Sequence, residues 1–283
     1  MSAATPCPLP YRVVRRVAET ADTASLVLEP VGTPLPPFAP GQFAEVTMSD
    51  IGTLPVPVSA ILTGARRLVH TVRAGGAETE LYRMRAGMEL AVRGPLGTGW
   101  QLSGVLGRDL LVVADGMGLA PLRPLVREVF ARAPVLGRIN VLVGAASPAA
   151  VVYADTLRCL GRAAPGHVAV TVDRPDARWR GPVGRVTHLL DGAAFDAPTT
   201  TAFVSGPEAM VRATAEELLR RGLPADRIQV SLEHVMRCAS ESHERTGGRL
   251  GCDRCRLVRT ALNDAGPVVT YDRARPLLAL AER

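Results

Sequence analysis

The stretch Leu110-Leu-Val-Val-Ala114, followed by Asp115-Gly-Met-Gly118 and Leu119-Ala-Pro-Leu-Arg123, decides the fold of this chain. An apolar run without polar neighbours is typical of a parallel strand that is covered on both faces. Glycines directly after such a strand let a nucleotide approach the backbone at its carboxyl end. We therefore expect an open parallel sheet that begins with this strand.

Alternating strand and helix patterns continue for about a hundred residues beyond this stretch. The apolar runs predict strands at 139–143, 168–172 and 201–204, and helices at 122–133, 152–160 and 207–221. This series predicts right-handed βαβ connections. Gly144 and Gly206 also follow strands, and three such turns on one sheet favour a dinucleotide site.

The region before Leu110 has a different pattern, with short alternating strands separated by Pro and Gly. The predicted strands are 11–17, 25–28, 42–47, 68–73 and 89–93, which indicates a sandwich or barrel. A helix is predicted at 78–84, after Gly75-Gly-Ala77, with Thr79 as a capping residue in its first turn. This helix start could bind an anion, or the helix could simply plug the barrel.

Composition excludes several function classes. The chain has 283 residues, a net charge of +6 and 47% hydrophobic residues, which fits about two folded domains and argues against disorder. All 33 basic residues are Arg, and no run of five basic residues occurs, so we expect no nucleic-acid binding. No segment reaches the roughly 18 apolar residues of a membrane span. The first ten residues lack a signal-peptide pattern, and we expect a cytoplasmic protein without a membrane partner.

The five cysteines are unevenly distributed. Cys7 and Cys159 stand alone, whereas Cys238, Cys252 and Cys255 cluster near the end of the chain. An odd count without a secretion signal favours reduced thiols, and the cluster favours a metal site.

Several motifs in order along the chain resemble those of the ferredoxin–NADP reductase superfamily. Within it, they are similar to the gamma subunits of hydrogenases and sulfhydrogenases, the anaerobic sulfite reductase flavoprotein, and the dihydroorotate dehydrogenase electron-transfer subunit. The resemblance covers roughly residues 10–272. The motifs that carry it are Pro40-Gly-Gln-Phe43, Val92-Arg-Gly-Pro-Leu-Gly97, Gly116–Arg123, Val172-Asp173, Trp179-Arg-Gly-Pro-Val-Gly184, Ser205-Gly-Pro-Glu-Ala-Met210 and Ser231-Leu-Glu-His-Val-Met-Arg-Cys238.

The resemblance implies an all-β FAD-binding barrel at 9–104, an α/β NAD(P)-binding domain with an open parallel sheet at 105–232, and an iron–sulfur segment at 233–283. It implies cofactor-binding roles on both domains and a [2Fe-2S] cluster. The implied cofactor-binding residues are Pro57, Val58, Ser59, Thr71, Val72, Arg73, Gly76, Thr79, Gly116, Gly118, Ser205, Gly206 and Pro207.

Three positions depart from the resembled families. Val58 cannot stack on a flavin as an aromatic ring does, and no Arg accompanies it to pair with the pyrophosphate. Asp115 replaces a small residue in the nucleotide turn, where its carboxylate repels phosphate unless it points away. Ser205 stands where many relatives carry Cys, and it is nearly isosteric. The stretch Ala145-Ala-Ser147 has no Arg pair for a 2′-phosphate, which favours NADH.

The cysteine segment also departs, because relatives carry four cysteines there and this chain carries three, Cys238, Cys252 and Cys255. One interpretation is a [2Fe-2S] cluster on Cys238, Cys252 and Cys255, with His243 or Asp264 as fourth ligand. Another is zinc on the three cysteines and His243, a ligand set that zinc accepts. The third is an empty, degenerate site.

The sequence therefore predicts a diaphorase-like NAD(P)H-dependent flavin oxidoreductase subunit. It carries electrons through FAD and the cluster to a larger redox subunit, such as a cytosolic nickel–iron hydrogenase. We expect no side chain that transfers protons to an organic substrate. The alternative is a structural subunit that kept the fold and lost flavin or cluster.

Overall fold

The computed structural model describes residues 7–48, 52–62, 66–163, 166–231 and 267–279. Six strands form an N-terminal barrel, and six form a sheet covered by helices. The barrel strands are β1 Leu9–Ala18, β2 Thr23–Pro30, β3 Phe43–Met48, β4 Gly52–Leu62, β5 Arg67–Arg73 and β6 Glu89–Leu96. The sheet strands are β7 Leu110–Asp115, β8 Ile139–Ala145, β9 Gly166–Val172, β10 Thr201–Ser205, β11 Ile228–Ser231 and β12 Val268–Thr270. The helices are α1 Glu78–Arg83, α2 Leu119–Ala131, α3 Ala154–Ala163, α4 Glu208–Arg220 and α5 Tyr271–Ala279.

The barrel is closed and antiparallel, in the order β1-β2-β5-β4-β3-β6, with β6 paired back to β1. Closure removes the free edges that an open sheet would expose. Alternate residues point inward and fill the barrel, as the period of two in the sequence predicts. On β1 these are Tyr11 and Val13, both almost fully buried. The barrel expectation is confirmed.

The sheet has the order β12-β11-β10-β7-β8-β9, with parallel pairing from β9 to β11 and β12 antiparallel to β11. Leu110 and Val112 of β7 belong to one core, which also includes side chains of α2 and α3. Leu111 and Val113 belong to the other, which includes side chains of α4 and α5. Both faces are thus covered, which explains why the β7 sequence is apolar throughout. The open parallel sheet is confirmed.

The strand order places the nucleotide turns at one point of the sheet. The chain proceeds from β7 to β8 and β9 on one side, and then to β10 and β11 on the other. The carboxyl ends of β7 and β10 are neighbours, since Ala114 pairs with Ser205. Ligands of such sheets bind where the order reverses.

Two helices begin at other residues than the sequence suggests. α2 begins at Leu119, three residues earlier than predicted. Its first turn accommodates Pro121, because backbone N–H groups in a first turn have no partner within the helix and proline therefore loses no helical hydrogen bond there. α3 begins at Ala154, because Tyr153 has a left-handed backbone with φ +56°.

The end of the chain contributes to the α/β sheet. Residues 268–279 form β12 and α5, and the buried Tyr271 and Ala274 pack into the core beside α4. The sequence assigns these residues to the 233–283 segment, so part of that segment completes the six-stranded sheet. Residues 233–266 lie outside the described residues, and the boundaries at 104 and 232 stay predictions.

Candidate functional site

A cleft of about 500 Å³ lies between the barrel and the carboxyl edge of the sheet. Its volume is within the usual range of about 300–1,000 Å³ for small-molecule sites. Both domains line it, and we call it the interdomain cleft. Its lining residues are Pro55, Val56, Pro57, Thr71, Val72, Arg73, Ala74, Gly75, Glu78, Asp115, Met117, Gly118, Ala120, Gly206, Pro207 and Glu208.

The barrel wall of the cleft is built by β4 and β5. Pro57 and the segment Thr71–Arg73 line it, as the sequence predicts for the flavin side. Arg73 supplies a cation here, although the sequence suggested none for the pyrophosphate. Its Nε lies 3.1 Å from a carboxylate oxygen of Asp22, which orients the guanidinium.

The turn after β5 leaves open space for a ligand. Gly75 and Gly76 have positive φ angles of +156° and +52°, and a methyl group on either Cα would meet nothing within 4 Å. Thr79 does not cap α1, whose N-cap position is Ala77. Its Oγ1 instead accepts a hydrogen bond of 3.0 Å from the backbone N–H of Gly75, which fixes the turn.

The sheet wall is built by the turns after β7 and β10. A Cβ on Gly118 would lie 2.2 Å from the carbonyl oxygen of Ser205, so only glycine lets the start of α2 pass this close to the neighbouring turn. Gly206, with φ +157°, would bring a Cβ within 2.4 Å of the Met210 side chain. Gly116 has φ +54° and open space around it. Gly118 and Gly206 line the cleft together with Asp115, Met117 and Glu208 of the same turns.

Two polar side chains at this edge are in unusual environments. Ser205 is 1% exposed, and its hydroxyl has no hydrogen-bond partner among the described residues. Asp115 lines the cleft, and burial together with the nearby charge of Asp173 raises the pKa of its carboxyl group. Its Oδ1 lies beside Gly144 at the end of β8, 2.9 Å from where a Cβ on that glycine would be, and the raised pKa favours the protonated form of the carboxyl group.

Not all predicted residues reach the cleft. The Val58 side chain is 1% exposed and packs inside the barrel, so it contacts the core instead of the cleft. The Ser59 hydroxyl donates a 3.0 Å hydrogen bond to the carbonyl of Val69. Val58, Ser59, Gly76, Thr79, Gly116 and Ser205 are not among the lining residues, and their cofactor roles stay predictions.

A cluster of hydroxyl groups lies behind the barrel wall. The hydroxyls of Ser25 and Ser59 are each 2.8 Å from Oγ1 of Thr71. Tyr153, from the sheet domain, donates a 2.6 Å hydrogen bond to the same oxygen. The local sequence around Tyr153 gives no sign of this contact, because its partner lies 82 residues away along the chain.

The predicted metal ligands Cys238, His243, Cys252 and Cys255, and the alternate ligand Asp264, lie outside the described residues. Among residues 7–231 and 267–279, apart from the short gaps, no three His, Cys, Asp or Glu side chains are grouped as metal ligands. The isolated Cys7 and Cys159 are exposed thiols. No helix in the described part of the chain is long and apolar enough to cross a membrane.

The cleft fits the groups that the sequence implies. From the sheet, Gly118 and Gly206 line it together with Asp115 and Glu208. From the barrel, the open turn at Gly75, the cation of Arg73 and apolar side chains line it together with Glu78. This combination suits a flat ring system with attached phosphates.

Comparisons with known proteins agree with this arrangement. Residues 112–216 match the family model described as oxidoreductase NAD-binding domain. The chain is 30% identical over 252 residues to sulfhydrogenase 2 subunit gamma of Pyrococcus furiosus, covering 83% of each chain. It is 30% identical over 233 residues to the dihydroorotate dehydrogenase B (NAD(+)) electron transfer subunit of Shouchella clausii, covering 80% of this chain and 82% of that one.

Solved structures show the same fold. The ferredoxin reductase in carbazole 1,9a-dioxygenase matches with a TM-score of 0.70 and 23% identity, over 81% of this chain and 70% of that one. A ferredoxin NADP+ reductase from Neisseria gonorrhoeae matches with a TM-score of 0.66 and 17% identity, over 79% of this chain and 97% of that one. The chain thus belongs to the family of NAD-binding oxidoreductase subunits that includes the sulfhydrogenase gamma subunits and the dihydroorotate dehydrogenase B electron transfer subunits.

Proposed function

We propose that this chain is the electron-transfer flavoprotein subunit of a larger redox enzyme, with FAD and NAD(P)H meeting in the interdomain cleft. The observation that carries the proposal is the cleft itself, where Thr71–Arg73 of the barrel face the glycine turn at Gly118. Bound FAD supplies the ability to accept two electrons as a hydride and to release them one at a time.

The residues of the chain hold and orient the reactants. On the barrel, Pro57, Thr71 and Val72 form one wall for the flavin ring, and Arg73 is the cation for its phosphates. On the sheet, the turns that contain Gly118 and Gly206 line the cleft and would hold the nucleotide. Positioning of two reactants accounts for most of the rate in such a transfer, and no side chain has to exchange a proton with a substrate.

The electrons leave through the cysteine segment in this proposal. Three thiolates from Cys238, Cys252 and Cys255 and a fourth ligand, His243 or Asp264, would hold a [2Fe-2S] cluster. A histidine ligand would raise its potential above that of an all-cysteine cluster. Metal analysis separates the alternatives: about two irons per chain support the cluster, one zinc supports a structural site, and no metal supports an empty site. Retention of the metal in His243→Ala excludes His243 as a ligand.

The nucleotide preference in this proposal is for NADH. Asp173 directly follows β9, and its backbone N–H donates a 3.0 Å hydrogen bond to the carbonyl of Ala145, so it lies beside the Ala145–Ser147 loop. A carboxylate at a strand end favours a ribose hydroxyl and repels a 2′-phosphate. We expect Asp173→Ala to lower the ratio of kcat/KM for NADH to kcat/KM for NADPH. An unchanged ratio of kcat/KM for the two nucleotides would contradict this assignment.

The flavin part has a direct test. The purified protein should be yellow, with an absorption band at about 450 nm, and should reduce ferricyanide with NADH. A colourless protein that cannot be reconstituted with FAD contradicts the proposal. That result would support the second candidate, a structural subunit without cofactors, which the Val58 side chain inside the barrel and the Asp115 carboxylate in the cleft favour.

The partner in this proposal is a larger metalloenzyme subunit of the hydrogenase type, located in the cytoplasm. The support is that similar proteins are named as subunits of sulfhydrogenases and dihydroorotate dehydrogenases. Co-purification of a tagged chain from its native source tests this. Recovery of the chain alone, under conditions that preserve its flavin, would contradict an obligate partner.

A further inference from the structure

Tyr153 has a strained backbone for a bulky residue. It lies between β8 and α3, with φ +56°, and it is 4% exposed. A left-handed conformation is unfavourable for a residue with a Cβ, because the Cβ comes too close to the following carbonyl oxygen. Such strain persists only where the surrounding structure determines it, and it is concentrated at functional sites.

The side chain of Tyr153 connects the two domains. Its ring packs in the core beside α2 and α3, and the guanidinium carbon of Arg123 lies 4.3 Å from the ring centroid. Its hydroxyl reaches across to Thr71 of the barrel, at 2.6 Å. Burial raises the pKa of Tyr153, so the hydroxyl stays neutral and donates this bond at any physiological pH.

Thr71 is also part of the barrel wall of the interdomain cleft. Its Oγ1 is within 2.8 Å of both Ser25 and Ser59, so it is held to β2 and β4 as well as to Tyr153. A displacement of Tyr153 would therefore shift the barrel wall relative to the sheet that carries the nucleotide turns.

We infer that Tyr153 is a positioning residue that sets the distance between the flavin wall at Thr71 and the nucleotide turns of the sheet. The inference rests on the proposed function. Tyr153 forms no bond to a reactant; it acts through Thr71. The hydride transferred from NADH to the flavin takes both electrons of its C–H bond, and the rate of such a step depends steeply on alignment, at up to about a hundredfold per 1 Å.

The test compares Tyr153→Phe with the matched control Tyr82→Phe. Tyr82 also lies beside an arginine, Arg16 at 4.6 Å, and its hydroxyl also donates one hydrogen bond, to the carbonyl of Ala21 at 3.0 Å, but within the barrel. We expect Tyr153→Phe to bind FAD normally, to keep KM for NADH within about twofold, and to lower kcat with ferricyanide at least about tenfold. Tyr82→Phe should leave kcat and KM unchanged.

A second measurement does not use the loaded enzyme. In the cofactor-free protein, amide hydrogen exchange in residues 67–75 should be about fivefold faster in Tyr153→Phe than in wild type, because one buried hydrogen bond to this strand is lost. Tyr82→Phe should leave exchange in this segment unchanged. Thr71→Val, which removes the acceptor and keeps the branched shape, should reproduce the fall in kcat.

An unchanged kcat in Tyr153→Phe overturns the inference. A wild-type kcat in Thr71→Val also overturns it, and this second variant decides the matter if Tyr153→Phe does not fold. A wild-type protein that binds no FAD refutes the proposed function instead. In that case the exchange measurement still decides whether Tyr153 holds the barrel wall.

Discussion

The side chain of Gln229 forms two hydrogen bonds with the backbone of a single residue, Gln101. Oε1 of Gln229 accepts from the N–H of Gln101, and Nε2 donates to the carbonyl of Gln101, both at 2.8 Å. Gln101 lies in the segment that joins the barrel to the sheet, and Gln229 lies on β11. The amide side chain thus pairs with the Gln101 backbone as a neighbouring strand would, and it attaches the connection between the domains to the sheet.

Gln229→Leu should destabilise this attachment. Gln229 is 5% exposed, and its replacement removes two hydrogen bonds to the linker, each with a net value of about 1 kcal/mol. We expect the free energy of unfolding in urea to fall by about 2 kcal/mol or more.

The matched control for that change is Gln42→Leu. Oε1 of Gln42 accepts from Ala39 and its Nε2 donates to Gly97, again at 2.8 Å, but the residue is only half-buried. Water can replace its partners, so the loss should be smaller. Equal losses in the two variants would show that the deeper burial of Gln229 is not the cause.

Gly118→Ala should damage the nucleotide site directly. The added Cβ would lie 2.2 Å from the Ser205 carbonyl oxygen, so the start of α2 would have to move away from the turn after β10. We expect a loss of about 1–3 kcal/mol in unfolding free energy and at least tenfold weaker NADH binding by titration calorimetry, about 1.4 kcal/mol.

Gly161→Ala serves as its control. A Cβ at Gly161 of α3 has its nearest neighbour at an ordinary 3.7 Å. Alanine is the better helix former, so this variant should be about 0.5–1 kcal/mol more stable and should bind NADH as wild type does. If Gly118→Ala is likewise stable and binds NADH as wild type does, the close approach of Gly118 to Ser205 is not required for nucleotide binding.

Asp115 should make nucleotide binding dependent on pH. Burial and the charge of Asp173 raise the pKa of Asp115, so the neutral form persists above the usual range of a carboxyl group. As pH rises through this raised pKa, the carboxylate forms and repels the phosphates, and the Kd for NADH should increase. Asp115→Asn should remove this dependence, and isothermal titration over a pH series measures it.

The same substitution should change stability in a defined direction. A raised pKa in the folded state stabilises the protein at low pH, and this contribution is lost as pH rises through the folded pKa. Asp115→Asn should therefore raise Tm at neutral pH, and it should leave Tm unchanged at pH values below the usual pKa of an Asp side chain. Asp173→Asn removes a charge that raises the pKa of Asp115, so it should move the pH dependence of both stability and NADH binding to lower pH. A Kd independent of pH in wild type would contradict the placement of phosphates near Asp115.

His70 should make the protein sensitive to acid. It is fully buried, its Nδ1 lies 2.9 Å from the carbonyl of Pro57, and burial lowers its pKa from 6.5 to about 4. Because Nδ1 faces an acceptor, it carries the proton, and Nε2 has no partner among the described residues. The unfolded chain binds a proton below pH 6.5, and the folded protein does so only near pH 4, so stability falls as pH is lowered through this window.

This loss should amount to on the order of 3 kcal/mol between the two pKa values. His70→Asn keeps a donor near the position of Nδ1 and does not titrate, so its urea midpoint should vary less with pH in that interval. The exposed His188→Asn should retain the wild-type dependence. Equal pH profiles for His70→Asn and wild type would refute the assignment.

Local patterns were sufficient for most elements of the fold. The apolar run of β7 indicates cover on both faces, and the structure confirms it, with Leu110 and Leu111 in different cores. The alternation in β1 places Tyr11 and Val13 inside the barrel. These signals are local because burial on one face repeats with the period of the strand.

Strands that depend on distant partners were harder to predict. β4 contains Pro55 and Pro57, which local rules treat as breakers, yet it pairs with both β3 and β5. β12 is only three residues long, and it becomes a strand because β11 offers a free edge. Their pairing energy comes from residues elsewhere in the chain, so the local sequence cannot reveal it.

The sequence by itself determined the class of the fold, the glycine turns of the nucleotide site and the resemblance that implies flavin and nucleotide. Only the tertiary structure decided that Val58 points into the barrel, that Asp115 is among the residues that line the cleft, and that Tyr153 meets Thr71 across the domains. The physical reason is that periodicity records which face of an element is buried. Which side chains meet depends on how two separately folded domains pack, and contacts over such separations leave no local pattern.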